Sequence, residues 1–243
     1  MVEVEDRRQR FADLLASEGD ADQGGRMSRI CALAVAELKV TGAGATVLSA
    51  SANGAAADYR RALVHATDPV SSGLEDLQLT VGEGPCRDAF VAGGPVLVPD
   101  LAAAATRWPA FGPAATGLGA AAVFSFPLQL GVVRLGSLDF YRDRPGPLSR
   151  AQVTDALVLA DLATATVIDQ LDGHASSDLS WLADSHAEVY QAVGMVQVQL
   201  GVSTDAALLR LRGHAFAHDV TLADVAGQVV TRTLRFRPEE DPA

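Results

Sequence analysis

Lysine is nearly missing from this 243-residue chain: Lys39 stands alone among nineteen basic residues. The imbalance reads as coding bias, so arginine frequency alone carries no argument for guanidinium chemistry. Cysteine is almost as scarce. Cys31 and Cys86 are too few for a disulfide framework or for a zinc site made of thiolates alone. Apolar runs such as 117–126 fall short of the ~20 residues that cross a bilayer, so no membrane partner is expected. Residues 1–10 are charged with no apolar segment behind them, unlike a signal peptide, which makes a cytoplasmic protein the expectation. Excess positive charge is absent too. A formal charge of -11 disfavours broad non-specific nucleic-acid binding but leaves a local patch open.

What is present suffices for folding. Hydrophobic residues make up 49% and charged residues 20%, a balance that fills a core, and the length suits two modest domains. A helix is expected over 5–16, then an amphipathic one over 26–40 with Met27, Ile30, Leu33, Ala34 and Leu38 at helical spacing. Residues 41–44 read as a turn; Gly42 and Gly44 do not make a dinucleotide fingerprint, because this turn follows a helix and opens a strand. Strands over 45–50 and 61–66 form a hairpin, and a polar helix covers 70–79. The G-E-G-P-C turn at 82–86 opens a short helix with Pro85 at its first position. A strand follows at 96–100, then an Ala/Pro/Gly-rich stretch over 101–119. Two strands over 122–130 and 132–141 form the sheet centre, and Ser149 caps a long helix ending near 171.

The segment 179–200 reads as one helix joining this mixed region to two short C-terminal helices. Leu179, Leu182, His186, Val189, Val193, Val196 and Leu200 recur at steps of three and four, either the seam of a short coiled coil, which suggests a homodimer, or the buried face of an amphipathic helix packed on its own domain. His186 is its one polar member, either a register-setting neutral ring or a pH-sensitive contact. Helices over 205–218 and from 222 onward complete a compact three-helix bundle, with Ser203 or Thr204 and Thr221 as caps.

Candidate chemistry is thin. Cys86 lies near a helix N-terminus beside Arg87, a setting that lowers a thiol pKa, so it is either a packing residue or a redox thiol. Cys31 sits on an apolar helix face and reads as core. His214 and His218 are four apart, but no third ligand or adjacent Glu accompanies them, so no metal is expected. No nucleophile motif is visible, an enzyme is not expected, and no cofactor is called for. Trp108, Phe111, Phe124, Phe126 and Phe140 either line an effector pocket or form plain core.

Two resemblances rest on these residues. Residues of about 26–170, with the G-E-G-P-C turn, Asp100-Leu101 and Trp108-Pro109, resemble a GAF domain. Residues of about 180–236 resemble an ANTAR domain, an RNA-binding output of bacterial antiterminators: 189–196 resembles its first-helix signature, 207–215 its second, and 222–226 with Val229-Val230 its third. The order is similar to a class of actinobacterial regulators.

The resemblance implies an α+β fold: a GAF-type antiparallel sheet flanked by helices, then a coiled-coil-like helix and an all-α three-helix ANTAR bundle. The implied division is an N-terminal extension 1–24, GAF domain 25–172, linker 173–179, ANTAR domain 180–237 and tail 238–243. It also implies a signal-responsive antiterminator that binds RNA hairpins as a homodimer and takes a small-molecule effector. Gln191, Arg210, Arg212, His214, Arg232 and Arg235 are the expected RNA contacts. One departure stands out: many relatives carry a basic residue where this chain has Val193. Between 180 and 237 five acids (Asp184, Glu188, Asp205, Asp219, Asp224) balance five arginines (Arg210, Arg212, Arg232, Arg235, Arg237). That neutrality keeps open an interaction or scaffold module without RNA affinity.

Overall fold

A computed structural model describes residues 2–17, 25–50, 59–172, 186–218 and 220–237. Helices α1 (Val2–Ser17) and α2 (Gly25–Leu38) precede strands β1 (Gly42–Ala50) and β2 (Tyr59–Ala66). Then come α3 (Pro69–Val81), α4 (Pro85–Ala92), β3 (Val96–Val98) and α5 (Phe111–Gly117). Strands β4 (Ala122–Leu130) and β5 (Val133–Arg142) lead into α6 (Arg150–Asp172), and α7 (Ala187–Leu200), α8 (Thr204–His218) and α9 (Leu222–Val230) close the chain.

The five strands pair antiparallel in the order β2-β1-β5-β4-β3, so β5 is central, as its apolar alternation predicts. Opposed residues share a face of such a ladder. Phe124 faces Phe140 on one side, while Ser125 faces Asp139 and Val123 faces Tyr141 on the other. The first side packs on α1, α2 and α6, burying Phe11, Ile30, Phe126, Leu138 and Leu159. The second lies under α3, α4 and α5, with Leu74, Trp108 and Phe111 buried there. Helix α6 is apolar and long enough to cross a membrane, but 56% of that window is buried within the molecule, so its apolarity serves the core.

Local rules explain most boundaries. Asp68 caps α3, its Oδ1 accepting from the amides of Val70 and Ser71 at 2.9 Å each, with Pro69 pre-set for the first turn. Ser149 and Gln152 exchange capping hydrogen bonds at the start of α6. Thr221 and Asp224 do the same for α9. In the 82–86 turn, Glu83 Oε1 accepts from the amides of Ala110 and Phe111 at 2.7 and 2.9 Å and so holds the start of α5. Arg107 stacks over Trp108 at 4.4 Å and pairs with Asp88 at 2.9 Å, which ties the Trp-Pro stretch to α4.

One expectation needs correcting, and one falls partly outside the described residues. Residues 42–44 belong to β1 rather than to a turn, because the backbone must run close beneath α3: a Cβ on Gly42 would lie 2.0 Å from Asp68 Oδ2. The described part of the supposed seam helix begins at Ala187, and Leu179 and Leu182 lie outside the described residues.

Candidate functional site

Helix α3 is the element around which the candidate sites are arranged. Its sheet-facing side carries Ser71, Glu75 and Gln78, all buried. Glu75 Oε2 accepts from Thr46 Oγ1 at 2.9 Å, and Gln78 Oε1 accepts from the Cys86 amide at 2.8 Å, joining α3 to β1 and to the start of α4. Ser137 Oγ lies 2.8 Å from Cys86 Sγ and 2.6 Å from Asp139 Oδ2. One hydroxyl hydrogen serves one acceptor, so a relay from thiol through hydroxyl to carboxylate satisfies both contacts. Gly44, Ser71, Glu75, Gln78, Asp139 and Tyr141 are among the residues that line a cavity of about 10 Å³.

The expected aromatic pocket does not form as one set. Trp108 and Phe111 pack edge to face at 6.3 Å in the layer beneath α3, whereas Phe124, Phe126 and Phe140 fill the layer under α2 and α6. All five are buried, in two separate layers on the two faces of the sheet. Cys86 is fully buried, which removes the exposure a redox thiol needs. Cys31 is likewise buried, and burial, reinforced by the charge of Asp139, pushes its thiol up to about 12.

The C-terminal half of α3 also meets the C-terminal bundle. Leu79 is buried among Val189, Val196, Leu208 and Leu211 of that bundle. Arg212 donates from Nε and Nη2 to the Leu79 carbonyl at 3.0 and 2.9 Å. His186 Nε2 lies 2.8 Å from Asp76 Oδ1. Gly82, left-handed with φ 73°, closes α3 and leaves room for Arg212; a Cβ there would sit 2.8 Å from its guanidinium.

This arrangement changes the reading of the seam. Val189, Val193 and Val196 are covered by α8 and α9 of the same chain and are thus core positions, not a free intermolecular stripe. Leu200 packs at the edge of that core, and His186 precedes the helix as its N-terminal cap residue. Of the expected RNA contacts, Gln191, Arg210, Arg232 and Arg235 are exposed. Arg212 is half-buried against α3, so Arg210 and Arg212 face different ways. His214 is half-buried, stacked on His218 at 4.0 Å and edge-on to Phe236 at 5.6 Å. Burial, then the His218 charge, hold His214 below the ordinary imidazole range.

A family profile described as the ANTAR domain matches residues 179–230, which span the interhelical core just described. The C-terminal bundle is an ANTAR domain. No curated protein matches the sequence. Among solved structures, the GAF domain of a phosphoenolpyruvate-protein phosphotransferase from Coxiella burnetii is similar at 14% identity and TM-score 0.52, covering 70% of this chain and 96% of that one. A GAF domain from an Acinetobacter phosphoenolpyruvate-protein phosphotransferase is similar at 16% identity and TM-score 0.49, over 70% and 96%. The first likeness shows the fold of the sheet region. A GAF-type fold is thus followed in the chain by the segment that matches the ANTAR domain.

Sequence reasoning missed Asp76, Leu79, Glu75 and Asp139. Only Asp139 carried a signal: Ser125, Ser137 and Asp139 interrupt otherwise apolar strands at one parity, which marks a buried polar face.

Proposed function

We propose that this protein is a cytoplasmic, signal-responsive transcription antitermination regulator that binds paired RNA hairpins through its ANTAR domain. It is a regulator rather than an enzyme. The observation that carries the reading is the ANTAR match over a bundle whose Gln191, Arg210, Arg232 and Arg235 are exposed. Unstacked loop bases read by a polar side chain, with arginines on the phosphates, suit that surface. The input is a signal received in the GAF fold, a small-molecule effector in the simplest case. Its route to the output is α3, which touches the sensor sheet and, in its C-terminal half, Arg212 and His186. Leu209 and Phe216, seven apart on α8 and 67% and 84% exposed, supply an apolar stripe for homodimerisation in place of the buried valines.

Electrophoretic mobility with a pool of paired-hairpin RNAs at two salt concentrations tests this reading. Selective binding that weakens with salt and in an Arg210→Ala/Arg235→Ala variant supports it. The balanced charge of 180–237 favours one second reading, a protein-interaction module. Absence of any RNA shift at low salt from the folded protein would select it.

A further inference from the structure

We propose that Glu75, Cys86 and Asp139 form a binding site for one divalent transition ion of the zinc or ferrous class. The three residues come from three elements, α3, α4 and β5, and all are buried. A carboxylate oxygen of each acid and Cys86 Sγ lie within 4.8 Å of one another. An ion with bonds of about 2.0–2.3 Å holds its ligands about 3.5 Å apart, so small side-chain rotations close the site.

A second observation points the same way. Ser125 stands directly across the ladder from Asp139 on the same face of the sheet, is fully buried, and its hydroxyl has no hydrogen-bond partner among the described residues. A polar atom so placed normally has a partner, and an ion or its bound water beside Asp139 would supply one. The cavity of about 10 Å³ between Glu75 and Asp139 holds about one water-sized particle.

The donor set selects the ion. A thiolate with two carboxylates suits a borderline ion such as zinc or ferrous iron, whereas magnesium and calcium require oxygen ligands throughout. Binding forms a metal–sulfur bond, breaks the Cys86 S–H bond, and releases that proton to solvent; no electron moves. Ser137, already within reach of both Cys86 and Asp139, positions the two ligands. An ion there would brace α3 against the sheet, one helical turn before Leu79 enters the bundle core.

The test is a Co²⁺ titration of the full chain after treatment with a chelator, followed by near-ultraviolet and visible absorption, with Zn²⁺ as competitor. The expected result is one Co²⁺ per chain with a sulfur-to-metal charge-transfer band that Zn²⁺ abolishes. Cys86→Ser removes the band. Glu75→Gln, which retains the thiol and can still accept from Thr46, keeps the band but weakens binding about tenfold or more. Should Cys86→Ser fail to fold by circular dichroism, Glu75→Gln decides alone. Folded protein that takes up no Co²⁺, uptake without the sulfur band, or affinity unchanged by Glu75→Gln overturns the proposal.

Discussion

The guanidinium of Arg212 closes the C-terminal end of α3, donating twice to the carbonyl oxygen of Leu79. Carbonyls in the last turn of a helix lack intrahelical partners and carry partial negative charge, so a cation fits there. The Leu79 side chain meanwhile enters the ANTAR core. One residue of the GAF-type region thus offers its backbone and its side chain to the C-terminal bundle, and the arginine that receives it is an expected RNA contact.

Arg212→Ala should loosen this docking without unfolding either region. A charge-assisted hydrogen bond contributes about 1.5–3 kcal/mol, so its loss should raise amide exchange in residues 79–84 and in α8 while β4 and β5 stay protected. Unchanged exchange would show that burial of Leu79 holds the contact by itself.

Asp68 predicts a pH dependence. Burial raises its pKa, but hydrogen bonds from the Ser71 amide and from the Thr67, Ser71 and Tyr141 hydroxyls outweigh burial and hold it below the ordinary carboxylate value. Its contribution to stability is therefore present above the unfolded value of about 3.9 and is lost as pH falls through the lower folded value. Tyr141→Phe removes one donor, given at 3.1 Å. The expected cost is about 1.5 kcal/mol at pH 7, shrinking toward pH 3, read from urea midpoints at both pH values. A pH-independent cost would place the effect in packing.

Val193 predicts the outcome of restoring the basic residue seen in many similar proteins. At 3% exposure it faces the ANTAR core, so Val193→Arg should destabilise the domain by about 2–4 kcal/mol, measured by thermal unfolding. RNA affinity at a temperature where the variant remains folded should not rise. A stable variant with tighter RNA binding would mean that α7 turns this position outward.

Much of the fold was legible because its signals are local. Pro85 after the glycine turn, Ser149 before α6 and Thr221 before α9 mark helix starts through chemistry within one turn of chain. The residues of the candidate sites were harder to see. Phe124 and Trp108 read alike as buried aromatics, yet they pack on opposite faces of the sheet, Phe124 by its place in β4 and Trp108 by the path of the chain between β3 and α5. The three-and-four spacing of Val189, Val193 and Val196 marked an apolar stripe but not what covers it, since a coiled-coil partner and two helices of the same chain bury the same positions.

The sequence by itself determined the helix caps, the alternation of β4 and β5, the order of a GAF-like region and an ANTAR domain, and the scarcity of positive charge. Only the tertiary structure decided that Glu75, Cys86 and Asp139 converge, that the valine stripe is internal, and that Arg212 rests on α3. The physical reason is range. Periodicity and capping act over a few residues, whereas these contacts join positions from eleven to 133 apart in the chain, which are brought together by strand register and domain docking.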